Sequence, residues 1–180
     1  MRKLYTATVI FGFFLTSMAA TAADAQVTVV LPDSSQTSTL TAIVSPQARV
    51  TVPAGVTFNV ADIGAVTAAS AAAVTIVNVV TPTASSQLRL SLQADAASFT
   101  PPSAGTSWSA SDVTWAAASW TNATGSAGTL SSAAYNTVAT CDANASACST
   151  TGLVFTLGAN TTINRSGNHT LVVRWRFQAI

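Results

Sequence analysis

The side chains able to do chemistry are few, and their spacing limits what they can do. His169 is the single histidine of the chain. A Ser-His-Asp hydrolase needs that imidazole beside an activated serine, and no GxSxG elbow presents one. Serine is abundant here through composition rather than placement, so His169 reads as a surface or capping residue of a turn. The acidic residues are Asp24, Asp33, Asp62, Asp95, Asp112 and Asp142, with no Glu among them. A glycosidase needs two carboxyl groups across one cleft. These carboxylates are scattered, and most sit beside turns, where Asp serves local hydrogen bonding. No DxDxDG calcium loop and no HxxxH zinc pair is present. The chain therefore reads as a non-enzyme, and no catalytic, cofactor-binding or metal-ligating residue is assigned to it.

Three further features carry weight. Cys141 and Cys148 form a local, even pair with no CxxC spacing and no nearby His, which in an exported chain points to a structural disulfide. Trp108, Trp115 and Trp120 lie in an irregular Ser/Ala/Thr/Gly-rich stretch. Indole rings on loops can stack on sugar faces or anchor a partner protein, so these three are the candidate ligand-binding residues; the competing reading is that they fill the core. Asp142-Ala143-Asn144-Ala145-Ser146 matches the acidic Asn-x-Ser pattern of bacterial glycosylation, although Asn122, Asn160, Asn164 and Asn168 also begin simple N-x-S/T matches.

The elements that must position these residues begin after an export signal. Arg2 and Lys3 precede an apolar run, Leu4 to Leu15, and Ala23-Asp24-Ala25 offers small residues for cleavage before Gln26. Residues 1–25 read as a secretory signal peptide, and residues 26–180 as a single domain. The expected location is secreted: the periplasm or the cell surface. The apolar run is too short for an ordinary span, so no membrane span is expected in the mature chain. Processing leaves five Arg and five Asp, with no Lys, Glu or Met. Balanced, scattered charge cannot hold a phosphate backbone, so nucleic acid is not an expected partner. Near-zero net charge favours association.

Period-two alternation dominates the mature chain. Val27 to Leu31 and Thr37 to Val44 are β-prone. Ala48/Val50/Val52 and Val56/Phe58/Val60 flank Pro53-Ala54-Gly55, which predicts a hairpin. Residues 68–73 are at most a marginal helical turn. Val74 to Val80, Leu88 to Leu92 and Leu153 to Leu157 predict strands, and shorter pieces are expected within 101–140. In the last stretch Leu171, Val173, Trp175 and Phe177 share one face, while Val172, Arg174, Arg176 and Gln178 share the other. The sum is about eight strands without a convincing helix. That pattern argues an all-β, antiparallel two-sheet β-sandwich, immunoglobulin-like or pilin-like, with a closed barrel as the alternative.

The final stretch also carries a resemblance. A Gly followed by an alternating strand, with Gly167, Thr170, Val173, Trp175 and Phe177 in comparable places, resembles the pilin-like, spore-coat-U-like secreted bacterial proteins. The departures are Ala179 at the penultimate position and a different cysteine placement. Trp175-Arg176-Phe177 also looks like the distal half of a WxL cell-wall-binding domain, whose proximal motif is missing. Both resemblances imply an envelope or surface protein. The expected function is a structural or assembly role at the bacterial surface, such as a fimbria-like subunit. Its expected partners are further copies or another envelope protein. The alternative is a module binding polysaccharide or peptidoglycan.

Overall fold

Nine consecutive residues, Ala72 to Val80, alternate buried Ala72, Val74 and Ile76 with exposed Ala73 and Thr75, and this strand anchors one layer of the protein. The structure, a computed structural model, describes residues 27–180; the expected signal peptide lies outside the described residues. Eleven strands follow in order: β1 (Gln47–Thr51), β2 (Thr67–Ala68), β3 (Ala72–Val80), β4 (Leu88–Ala94), β5 (Val113–Trp115), β6 (Ala123–Gly125), β7 (Gly128–Thr129), β8 (Asn136–Cys141), β9 (Ala147–Leu153), β10 (Phe155–Leu157) and β11 (Val173–Ala179). All pairings are antiparallel, in sheets ordered β1-β3-β9, β2-β10-β5-β7 and β11-β4-β8-β6.

The first two sheets are halves of one layer. β2 leads into β3, β10 continues β9, and β2 pairs with β10 as β3 pairs with β9. The break falls at residues 69–71 and at Val154, where the Ala69 N–H still donates to the Phe155 carbonyl at 2.9 Å. The layer therefore bends without losing its chain pairing, as strands do when they turn a corner of a sandwich. Val74, Ile76, Leu153, Phe155 and Leu157 from this layer pack against Leu88, Leu90, Leu92 and Val138 from the β11-β4-β8-β6 layer. The fold is an all-β sandwich, as the alternation predicts.

Several local expectations differ from the structure. Val27 to Leu31 and Thr37 to Val44 carry no strand. The sandwich lies within the compact unit Ile43–Ile180, and residues 27–42 belong to another unit. The hairpin across Pro53-Ala54-Gly55 does not form. β1 pairs instead with β3, with Thr51 opposite Thr75 and Val50 opposite Ile76. An isolated hairpin is marginal, whereas β3 offers a long ladder backed by the core. No helical turn forms at residues 68–73: Ala68 ends β2, Ala72 and Ala73 open β3, and residues 69–71 connect them without regular structure. A short 3₁₀ turn, Ala110–Asp112, lies between Trp108 and β5; the Asp112 carboxylate closes a capping box by accepting the Ser109 N–H at 2.8 Å.

Candidate functional site

The candidate site is an open slot along the free edge of β11. Trp175 and Phe177 project inward with stacked rings, 6.3 Å apart and 11° from parallel. They and Leu171 reach only half-burial, and Val173 is still 37 % exposed. Full alternation with incomplete burial means that the inner face lacks part of its cover. β11 pairs with β4 in unbroken register, from Val173 opposite Ala94 to Ala179 opposite Leu88. Its other edge has no strand partner among the described residues. Gln87 and Ile180 exchange backbone hydrogen bonds at 3.0 and 2.9 Å, and the Asp95 N–H donates to the Val172 carbonyl at 3.0 Å. Hydrogen-bonded pairs alternate in an antiparallel ladder. The backbone groups of Val173, Trp175, Phe177 and Ala179 therefore face the unpaired side.

Across the slot runs the stretch expected to be a hairpin arm. Val52, Val56, Phe58 and Val60 are half-buried, while Thr57 and Asn59 are exposed. The strand alternation is thus real, but residues 53–60 make no backbone hydrogen bond among the described residues. Between this segment and residues 165–175 lies a groove of about 1100 Å³. Its floor is core: Leu92 from β4, Val113 from β5, and Phe155 and Leu157 from β10. Its only fully charged lining residue is Arg165. An elongated, apolar trough between two backbones with unused hydrogen-bonding groups is chemically suited to an extended peptide segment.

One end of the groove is held by a strap, residues 160–170. Thr100 and Thr170 exchange backbone bonds at 2.8 and 3.0 Å. The Thr106 N–H donates to Asn164 Oδ1 at 3.1 Å, and the Thr106 hydroxyl bonds to the Thr162 carbonyl. Gly167 has φ +122°, with Pro102 so close that a Cβ would lie 3.0 Å from it. Only glycine adopts this backbone freely. His169 completes the ties: Nδ1 lies 3.0 Å from the Ser107 hydroxyl, and Nε2 lies 3.1 Å from the Arg165 carbonyl. The tautomer that satisfies both carries its proton on Nε2. Trp108 meets the imidazole edge-on at 5.1 Å. The sequence offers no sign that Ser107 and His169 meet, since 62 positions separate them. No carboxylate among the described residues bonds to His169, and both ring nitrogens serve to join two chain segments.

The tryptophans stand elsewhere than a loop-binding reading requires. Trp108 is 5 % exposed and donates Nε1–H to the Gly158 carbonyl at 2.9 Å. Trp115 is 3 % exposed, donates to the Ser126 carbonyl at 3.0 Å and lies edge-on to Phe155 at 6.0 Å. Their ring faces are core surface, as in the core-filling reading of these residues. The cause is visible in the local fold: the capping box and β5 aim Trp108 and Trp115 inward, and each indole N–H finds a backbone acceptor. Trp120 is half-buried, and its Nε1 has no partner among the described residues. The three do not converge on one surface pocket: Trp108 alone of them lines the groove.

Cys141, at the end of β8, and Cys148, in β9, are bonded, with Cα atoms 5.9 Å apart. Both are buried, and their bond ties the two layers together. The outer face of β11 holds the single ion pair among the described residues, Arg174 with Asp95. The hydrogen bond to Asp95, then its charge, raises the Arg174 pKa further above its ordinary value. Arg176 lies over the Tyr135 ring, 4.2 Å from its centroid. No group of residues suited to a metal ion occurs among the described residues, and no helix among them is long and apolar enough to cross a membrane.

Comparison with known proteins returns no family model, no curated protein and no solved structure that matches the chain.

Proposed function

We propose that this chain is a secreted bacterial surface protein with a structural, non-catalytic role, a fimbria-like subunit that assembles by strand addition. The supporting observation is the slot beside β11: the segment 53–60, without backbone hydrogen bonds among the described residues, and the free edge of β11, separated by a groove whose floor is the hydrophobic core. A segment laid there would hydrogen-bond to Trp175 and Phe177 and cover their rings. Val27, Val29 and Leu31 have the alternation such a segment needs, and all three are exposed. A second copy would supply them, giving a head-to-tail assembly with one repeated contact. The resemblance to pilin-like proteins points the same way.

Size-exclusion chromatography of the processed chain, with and without residues 26–36, tests this. Oligomers that disappear on deletion support the proposal; monomers in both cases oppose it. The alternative, a polysaccharide- or peptidoglycan-binding module, has less support because two of its three tryptophans are core residues.

A further inference from the structure

We propose that Asn144 is an acceptor for an N-linked glycan. Five Asn residues begin N-x-S/T triplets: Asn122, Asn144, Asn160, Asn164 and Asn168. The structure separates them. Asn122 spends its Nδ2–H on the Ala147 carbonyl at 3.2 Å. Asn160 Oδ1 accepts from both the backbone and the hydroxyl of Thr162, at 3.0 and 2.6 Å. Asn164 Oδ1 holds the Thr106 N–H. Asn168 lies in the strap, lines the groove, and is followed by His169 and Thr170, both already tied. At Asn122, Asn160 and Asn164 a transferase would have to break a hydrogen bond of the acceptor side chain, and at Asn168 it would have to work within the strap that His169 and Thr170 hold in place.

Asn144 stands alone at the tip of the loop joining β8 to β9. It is exposed, and its side chain makes no hydrogen bond among the described residues. The Ala145 N–H donates to the Asp142 carbonyl at 3.1 Å, closing a tight turn, and Asn144 sits within that turn at φ +61°. Asn tolerates this left-handed backbone better than most residues. The Asp142 carboxylate and the Ser146 hydroxyl flank the amide, and neither has a side-chain hydrogen-bond partner among the described residues. Of the five triplets, this alone has an acidic residue two positions before the Asn. The disulfide pins the base of the loop, so the turn survives folding with its amide presented outward.

The reaction joins the side-chain amide nitrogen to the anomeric carbon of an oligosaccharide carried on a polyprenyl pyrophosphate. The C–N bond forms and the anomeric C–O bond breaks. The amide proton passes to a base on the transferase, and the lipid pyrophosphate leaves. A hydrated glycan suits this surface, which has little charge to keep copies apart. No residue from 131 to 154 lines the groove, so a glycan on Asn144 leaves the slot open. The inference rests on export and is independent of the assembly proposal.

The test uses the full chain, exported in bacteria with and without an oligosaccharyltransferase and a lipid-linked oligosaccharide of known mass. Intact-mass spectrometry of the purified protein should show one glycan increment only when the transferase is present. Asn144→Gln and Ser146→Ala should abolish it, and Asp142→Ala should lower occupancy several-fold. Thermal unfolding of each variant, close to that of the parent, separates lost modification from lost folding. No increment on the parent chain overturns the proposal, as does an increment that persists in Asn144→Gln. Unchanged occupancy in Asp142→Ala overturns the role given to that carboxylate.

Discussion

Gln87 and Ile180 each donate a backbone N–H to the other's carbonyl, at 3.0 and 2.9 Å, and this one pair sets the parity of the last strand. Because the register to β4 has no shift, Arg174, Arg176 and Gln178 bond inward to β4. Val173, Trp175, Phe177 and Ala179 turn their N–H groups to the vacant edge. Hydrogen exchange should therefore be slow at Arg174 and Arg176 and fast at Trp175 and Phe177. Adding a synthetic peptide of residues 26–36 should slow the second pair by at least tenfold. Unaltered exchange at Trp175 and Phe177 under saturating peptide would remove β11 from any account of assembly.

The Trp115 indole lies flat on Gly128: a Cβ there would come 2.4 Å from the ring. Gly128→Ala must displace a buried aromatic, so it should destabilise the protein by about 1–3 kcal/mol. Gly55→Ala is the matched control, since nothing lies within 4 Å of its added Cβ. Urea denaturation of both variants reads the difference. Equal midpoints would show that Trp115 is free to move.

The bond between Cys141 and Cys148 closes a short loop and joins the two layers. In the chain-entropy treatment a loop of this length contributes roughly 2.5 kcal/mol. The double variant Cys141→Ala/Cys148→Ala should lose about that much in urea denaturation, and a reducing agent should bring the parent chain to a similar midpoint. A variant as stable as the parent would leave the disulfide without a structural role.

Asp33 accepts the Ser35 N–H at 2.9 Å, the Ser35 hydroxyl at 2.6 Å and the Gln36 amide at 2.8 Å. The side-chain bond from Ser35, then that from Gln36, holds its carboxyl below the usual carboxylate range. A depressed carboxylate contributes local order that is complete above its unfolded pKa and lost as pH falls through the folded one. The Ser35 amide resonance should stay constant at neutral pH and move only under acid conditions below that range. A midpoint at or above the ordinary Asp value would contradict the turn.

The regular strands were legible because alternation is a one-dimensional signal. β3, β4 and β11 show it in β-branched, leucine and aromatic residues, and each forms where expected. Phe58 shows the limit of the method. Its alternation with Val56 and Val60 marks an inward face correctly, yet it names no hydrogen-bonding partner. Partner choice depends on the whole layer, so β1 joined β3 and the expected hairpin failed. Trp108 and Trp115 show a related limit. A Ser/Ala/Gly-rich context reads as loop, while their burial follows from a capping box and from carbonyls 50 and 11 residues away. The contact of Ser107 with His169 had no local signature at all, being created by the fold.

The Arg174–Asp95 pair is the only ion pair among the described residues, and the other exposed charges, such as Arg49, Arg165, Arg176, Asp62 and Asp142, are scattered among hydroxyls, amides and methyl groups. Such a molecule is nearly indifferent to ionic strength, because there is little Coulomb energy for dissolved salt to screen. Sodium chloride from low to near-molar concentration should scarcely change its solution behaviour. Temperature is the stronger control, since contacts made of apolar area weaken on cooling. Whatever this chain joins should come apart more readily in the cold than in brine.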